Sequence, residues 1–355
     1  VVTIHDLLTA MVEKNASDLH IGVGTAPLIR VDGELFPLRE YGKLDPEMCQ
    51  RLAYGILNDA QIKRFEHDGE LDLSYGVRGL CRVRVNVFRQ RGTVGVAMRN
   101  IPFKIPAFDE LGLPMAAREA AAVPKGLVLV CGPTGHGKTT TLACMLDYIN
   151  STRSCHIVSV EDPIEYLHQH KQSYITQREI GDDTKSFTAA LKYVLRQDPD
   201  VILIGEMRDL ETIEAALVAA ETGHLVFATL HTTDAAQSVN RIVDVFPPHQ
   251  QHQVRMQLSF VLQFVFVQQL MSRDDGPGRV LASEIMVGTP AVRNLIREGK
   301  IEQLYGVIQT SLKEKMQTMN RSLADLYKRG LISREKAIAH SSNVKDLKLL
   351  LSKAF

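Results

Sequence analysis

A chain of 355 residues exceeds a typical single domain, so two domains or one large domain with an appendage are expected. Hydrophobic residues at 45% and charged residues at 23% exclude a disordered chain. Lys plus Arg and Asp plus Glu each total 41, so the chain lacks the positive field of a protein that grips nucleic acid mainly through phosphates.

In chain order, residues 1–100 mix a short amphipathic start (Ile4, Leu7, Leu8, Met11) with strand-like runs at 28–31 and 82–88, which predicts an α+β module. Residues 101–106 carry Pro102 and Pro106, which forbid regular helix and favour an extended connector, so the domain boundary is placed there. From Gly126 onward, short β-rich apolar runs at 127–131, 157–160, 201–204 and 225–230 alternate with helical segments. Continuous apolar strands between helices predict a parallel sheet buried on both faces. Residues 271–355 read as helices, at 289–298, 316–329 and 333–340, with Ser333 as an N-cap.

The run 127–131 leads into Gly132-Pro133-Thr134-Gly135-His136-Gly137-Lys138-Thr139, and 140–149 has a helical pattern. This is the strand, loop and helix setting that a phosphate-binding loop requires. The expected nucleotide-binding set is Gly132, Pro133, Thr134, Gly135, His136, Gly137, Lys138, Thr139 and Thr140. Glycines let the backbone wrap phosphates, the helix N-terminus supplies positive potential, Lys138 reaches the β and γ phosphates, and Thr139 ligates Mg²⁺.

The run 201–204 ends in Gly205-Glu206, which places Glu206 at the carboxyl end of a strand, where it would hold Mg²⁺ through water. A second acidic cluster, Glu161-Asp162-Pro163-Ile164-Glu165, follows 157–160; one of its carboxylates could orient the attacking water, although a solvated acidic turn is the commoner origin of such a cluster taken by itself. His224 and His231 flank the run 225–230, separated by roughly 23 Å at about 3.3 Å per residue and facing opposite ways, so they cannot share one metal. His231, beside Thr232 and Thr233, is placed to sense a γ-phosphate.

In 82–89 the valines 83, 85 and 87 share one face and Arg82, Arg84 and Asn86 the other. The arginines suit either a solvated face or the phosphates of a neighbouring subunit's ATP, to which such groups can add about 10³ to 10⁵ in rate. Cys49, Cys81, Cys131, Cys144 and Cys155 are scattered and include no C-x-x-C pair, which argues against a disulfide framework or a zinc site. No apolar run approaches the roughly 18 to 20 residues of a membrane span, and the start lacks a basic segment followed by an apolar one. A cytoplasmic protein with a trimmed start is expected.

Taken together, Ala16-Ser17-Asp18-Leu19-His20, the arginine strand, 132–141, the acidic box 160–166, the Walker B segment 198–213 and the histidine box 222–232 resemble the ATPases of type II secretion and type IV pilus systems. Ala291-Val292-Arg293-Asn294-Leu295-Ile296-Arg297-Glu298 resembles the AIRNLIRE signature of the pilus-retraction branch, with Val292 for Ile. The additional N-terminal domain and tetracysteine motif of assembly-type members are missing from the sequence. The resemblance implies an α/β architecture with a PAS-like N-terminal domain at 1–100, a linker at 101–112, a RecA-like P-loop ATPase core at 113–270 and a helical C-terminal region with the retraction motif at 271–355.

It further implies ATP and Mg²⁺ as cofactors, Glu165 as general base, Glu206 in the Walker B role, His231 as a nucleotide-state contact, and Arg82, Arg84 and Arg99 as trans-acting arginines. The implied assembly is a homohexamer on the cytoplasmic side of the inner membrane at the pilus base. It would work through the membrane platform protein and act indirectly on the pilin filament, without nucleic acid. His136 departs from the family, which usually has Ser at that place. Other readings are a nucleic-acid translocase of RecA type, an assembly or type II secretion ATPase, and a nucleotide-binding regulator without turnover.

Overall fold

The computed structural model describes residues 2–31, 33–101 and 104–352. The chain divides into two compact units: Val1–Lys104 with Glu165–Leu167, and Ile105–Ile164 with His168–Phe355. Of the expected linker, Pro102 and Phe103 lie outside the described residues, Ile101 ends a strand, and Phe108–Leu111 forms a short helix.

The first unit contains β1 (Asp18–Ile21), β2 (Leu28–Val31), β3 (Glu34–Pro37), β4 (Glu70–Val77), β5 (Cys81–Gln90) and β6 (Thr93–Ile101). They form an antiparallel sheet in the order β3-β2-β1-β6-β5-β4. Helix Ile4–Glu13 begins with a capping box between Thr3 and Asp6 and buries Leu7, Leu8 and Met11. Helix Asp59–Asp68 starts on a second capping box, Asn58 with Gln61, and stops at Gly69 in the left-handed region. The alternation of β5 holds: Val83, Val85 and Val87 are buried, Arg82 is half-buried and Arg84 exposed. Each fully buried aliphatic of this kind contributes about 1.5–3 kcal/mol. Helices packed with an antiparallel sheet make this an α+β module, as the mixed pattern of the N-terminal segment predicts.

The second unit contains β7 (Gly126–Cys131), β8 (His156–Glu161), β9 (Tyr174–Glu179), β10 (Val201–Ile204), β11 (Leu225–Leu230), β12 (Leu262–Ser272) and β13 (Arg279–Val287). Their order is β13-β12-β7-β11-β10-β8-β9, parallel throughout except for β13. Leu127, Leu129 and Cys131 of β7 enter one core with the helices Leu210–Glu221, Ala235–Asp244 and Pro248–Val261. Val128 and Val130 enter the opposite core with Met115–Ala122 and Lys138–Thr152. Both faces are covered, which is why the strand is apolar at every position and shows no alternation.

Strands β9, β12 and β13 are additions to the sequence reading. The expected boundary at 270 falls inside β12, and the region 271–355, read as helical, opens with the rest of β12 and with β13. Polar residues hid them: Gln268, Ser283 and Glu284 interrupt the apolar pattern, yet all three are buried and hydrogen-bonded. The register of β12 against β7 shifts between Leu262 and Phe264, a bulge at Gln263. The helices at Pro290–Glu298, Met319–Lys328 and Arg334–Ala339 match those expected, and the Ser333 hydroxyl accepts the Lys336 N–H. Among the described residues no helix is long and apolar enough to cross a membrane.

Candidate active site

Parallel strands bring their carboxyl ends to one edge of the sheet, and the chemistry-bearing residues gather there. Leaving β7, the chain turns at Gly132 with φ of 137°, and a Cβ at that position would lie 2.5 Å from the Gln268 carbonyl oxygen. Only glycine permits this approach. The loop closes at Gly137, left-handed at φ of 82°, which is the N-cap of helix Lys138–Thr152. No side chain caps this helix and its first turn holds no acidic residue, so its leading N–H groups face outward toward the loop.

Inside the loop, the buried Lys138 ammonium donates to the carbonyls of Gly132 at 2.8 Å and Pro133 at 3.0 Å. That bond pair arches the loop across its own base. Thr139 and Thr140 are half-buried in the first helical turn, and Thr141 exchanges hydrogen bonds with the buried side chain of Gln268 at 2.8 and 3.2 Å. His136 Nδ1 accepts the Leu270 backbone N–H at 3.0 Å. Burial, followed by the charges of His340, Lys138 and Arg279, holds the His136 imidazole below its ordinary value.

Glu206 leaves the end of β10 and His231 the end of β11, and the structure joins them. His231 Nε2 lies 3.0 Å from Glu206 Oε1, and its Nδ1 lies 3.4 Å from the Thr134 hydroxyl. One neutral tautomer, with the proton on Nε2, satisfies both contacts. Arg208 Nε donates to the same carboxylate oxygen at 2.5 Å. Burial would raise the Glu206 carboxyl, but Arg208 and His231 outweigh it and hold it below the usual carboxylate range. Thr229 braces the turn by donating to the Gly205 carbonyl at 2.5 Å. Arg208 was missed in the sequence, although a basic residue two positions after the strand-end glutamate is a readable signal.

The remaining expected residues belong to the acidic box, the end of the helix before β11 and the first unit. Glu161 is buried at the end of β8, where Ser159 donates to it at 2.6 Å and Gln177 at 3.2 Å. Asp162 and Glu165 are exposed, and Glu165 falls in the segment Glu165–Leu167 that groups with the first unit. His224 binds the Ala219 carbonyl through Nδ1 at 2.9 Å, a structural cap. In the first unit, Arg84 is opposite Arg99 in register, and Arg99 donates to Asp18 at 2.9 Å. The Asp18 of the Ala16 to His20 motif thus orients Arg99 within its own sheet.

Helix Pro290–Glu298 buries Val292 and Ile296, while the Arg293 guanidinium gathers the carbonyls of Gly288 at 2.6 Å, Ser259 at 3.1 Å, Phe260 at 2.5 Å and Leu262 at 3.3 Å. It thereby satisfies the orphan carbonyls at the end of helix Pro248–Val261. Asn294, Arg297 and Glu298 bond to one another along the outer side of the helix.

The model of the family "Type II/IV secretion system protein" matches residues 1–338. The chain is 51% identical over 334 residues to the type IV pilus retraction ATPase PilT of Pseudomonas aeruginosa, covering 94% of this chain and 96% of that protein. It is 46% identical over 341 residues to the twitching motility protein of Neisseria gonorrhoeae, covering 96% and 91%. A crystal structure of the pilus retraction motor PilT with bound ADP superposes with a TM-score of 0.93 at 49% identity, covering 98% of this chain and all of that one. With its strand, phosphate loop and helix on a RecA-like sheet, the chain belongs to the type II/IV secretion system protein family and is a P-loop ATPase of it.

Proposed function

We propose that this chain is the motor subunit that powers retraction of type IV pili by hydrolysing ATP. The observation that carries the reading is the continuous contact from Thr134 in the phosphate loop through His231 to Glu206, beside the arched Lys138. The arrangement lets a group next to the terminal phosphate influence the carboxylate that serves the metal, which a passive nucleotide-binding module does not need. The likeness to PilT and the helix Pro290–Glu298 favour retraction over assembly.

In this reading the residues Gly132 to Thr140 hold the triphosphate, and Lys138 exchanges its carbonyl partners for phosphate oxygens. Thr139 and the ionised Glu206 are hard oxygen donors and fit Mg²⁺; the Glu206 contacts with Arg208 and His231 both fall on Oε1. The metal neutralises charge on the phosphates when bound. Glu165 orients the attacking water as general base. Arg82 and Arg84 reach the nucleotide of a neighbour in a hexameric ring, with Arg99 beside them. Catalysis is then positioning and charge stabilisation rather than covalent chemistry. The ring sits at the cytoplasmic face of the inner membrane, turns the platform protein and withdraws pilins.

Phosphate release by the purified protein tests the enzyme, and Glu165→Gln and Glu206→Gln test the site: turnover at the parent's rate in both variants overturns the assignment. Deleting the gene and counting surface pili tests the direction. Extra pili with lost twitching support retraction, whereas bald cells overturn it in favour of assembly.

A further inference from the structure

The phosphate loop rests on two residues of β12, Gln268 and Leu270. The carbonyl of Gln268 lies under Gly132, the side chain of Leu270 lies under Gly137, where a Cβ would come within 3.0 Å of its Cδ1, and the Leu270 N–H is taken by His136. Between Gly135 at φ of 81° and Gly137 at φ of 82°, the loop has no side chain other than His136 to hold its shape. Glycines in that region are conformationally loose; the His136 N–H reaches the Pro133 carbonyl at 3.4 Å and the Gly137 carbonyl accepts the Thr141 N–H at 3.0 Å, and the His136 side chain adds the tie to β12.

We propose that His136 is a positioning residue for ATP binding: its Nδ1 holds the loop on β12 in the shape that receives the phosphates, and uptake of a proton at that nitrogen releases it. The inference rests on reading this loop as an ATPase site. Accepting the Leu270 N–H requires Nδ1 to be unprotonated, so the proton sits on Nε2, and an imidazolium cannot make the bond. The charged groups acting on the ring are Lys138 at the head of its helix, Arg279 on β13 and His340 after helix Arg334–Ala339. All are basic, and His340 is itself fixed by Gln269 at 3.0 Å. A second proton on His136 would therefore meet only like charge. Because the folded chain favours the neutral ring, the anchor is intact at neutral pH and fails as pH falls through a value below the ordinary histidine range.

The test uses the full chain with His136→Asn and His136→Ala, measuring KM and kcat for ATP and the affinity for Mg-ADP by calorimetry from pH 5 to 8. Asn places Oδ1 as many bonds from Cα as Nδ1 of histidine and cannot titrate. The expected result is an acid-side loss of about three- to tenfold in ADP affinity and a matching rise in KM for the parent. His136→Asn keeps an acceptor that cannot titrate, so its acid fall is smaller than the parent's whatever its affinity at pH 8, and the difference between the two profiles removes the titration of the nucleotide itself. His136→Ala is weaker at every pH, with KM changed more than kcat. The proposal is overturned if His136→Ala matches the parent throughout, or if His136→Asn retains the full acid-side loss. Should His136→Ala fail to fold, the parent and His136→Asn profiles decide alone. Failure of the ATPase reading looks different: the parent would bind ADP with this pH dependence yet release no phosphate.

Discussion

The phosphate loop and the helix Pro290–Glu298 both carry family signatures rich in polar residues, and they use them in opposite ways. In the loop, Lys138 and Thr134 are held by hydrogen bonds to loop carbonyls and to His231 that a ligand can replace. In the helix, Arg293 is spent on four backbone carbonyls and on Gln263, leaving it no capacity for a partner. A motif residue can thus be a chemical group or a structural bolt, and only the contacts distinguish them. Of the retraction signature, the residues left for recognition are Asn294, Arg297 and Glu298 on the outer side.

Lys138→Ala is expected to lower ATP turnover by about 10²–10³-fold with little change in melting temperature, since its removal deletes charge stabilisation. Steady-state kinetics alongside a thermal melt checks this; equal losses of both would place Lys138 among the bolts. Arg293→Ala is expected to do the reverse, costing about 3 kcal/mol in urea unfolding because several carbonyls lose a charged donor, with turnover per folded molecule retained. A kinetic collapse in a fully stable Arg293→Ala protein would move it to the other class.

Glu284 offers a milder case. It is buried on β13 and accepts the N–H of Ala235 at 2.9 Å at the start of one helix, and its pKa is raised by burial. The folded chain therefore keeps a proton that the unfolded chain releases, and stability declines as pH rises from the unfolded value to the folded one. Glu284→Gln removes that decline, so its melting temperature relative to the parent should climb by about 1–2 °C between pH 4 and pH 8. The smallest effect belongs to Asn294→Ala, within about 0.5 kcal/mol and without effect on turnover, because its bond to Glu298 is exposed. Loss of twitching in such a cell would assign the outer side of the helix to a partner rather than to folding.

Strands β7, β8, β10 and β11 were legible because a sheet covered on both faces demands unbroken apolar runs, and the loop was legible because its glycines and Lys138 have few other uses. Glu206 and His231 were found singly, from their places at strand ends. Their bond to each other was not, since it depends on how β10 and β11 pair, Ile204 with Ala228. The partner of His136 could not be read at all: Leu270 is 134 positions away and contributes a backbone N–H, which has no signature in sequence. Buried Gln268 misled for a related reason, because a polar residue reads as surface until its partner Thr141 is known.

The bulge at Gln263 ties the two contrasted regions together. Side chains along a strand alternate, so Gln268 and Leu270 face the loop while Gln269 faces His340. One residue fewer before Phe264 would invert that phase and present Gln269 to Thr141 instead. Gln263 is kept in place by Gly288, which donates to its carbonyl at 2.7 Å, and by Arg293, which donates to its side chain at 3.3 Å. The arginine of the retraction signature therefore acts as a timing mark for β12: by fixing where the strand slips, it selects which side chains lie beneath the nucleotide.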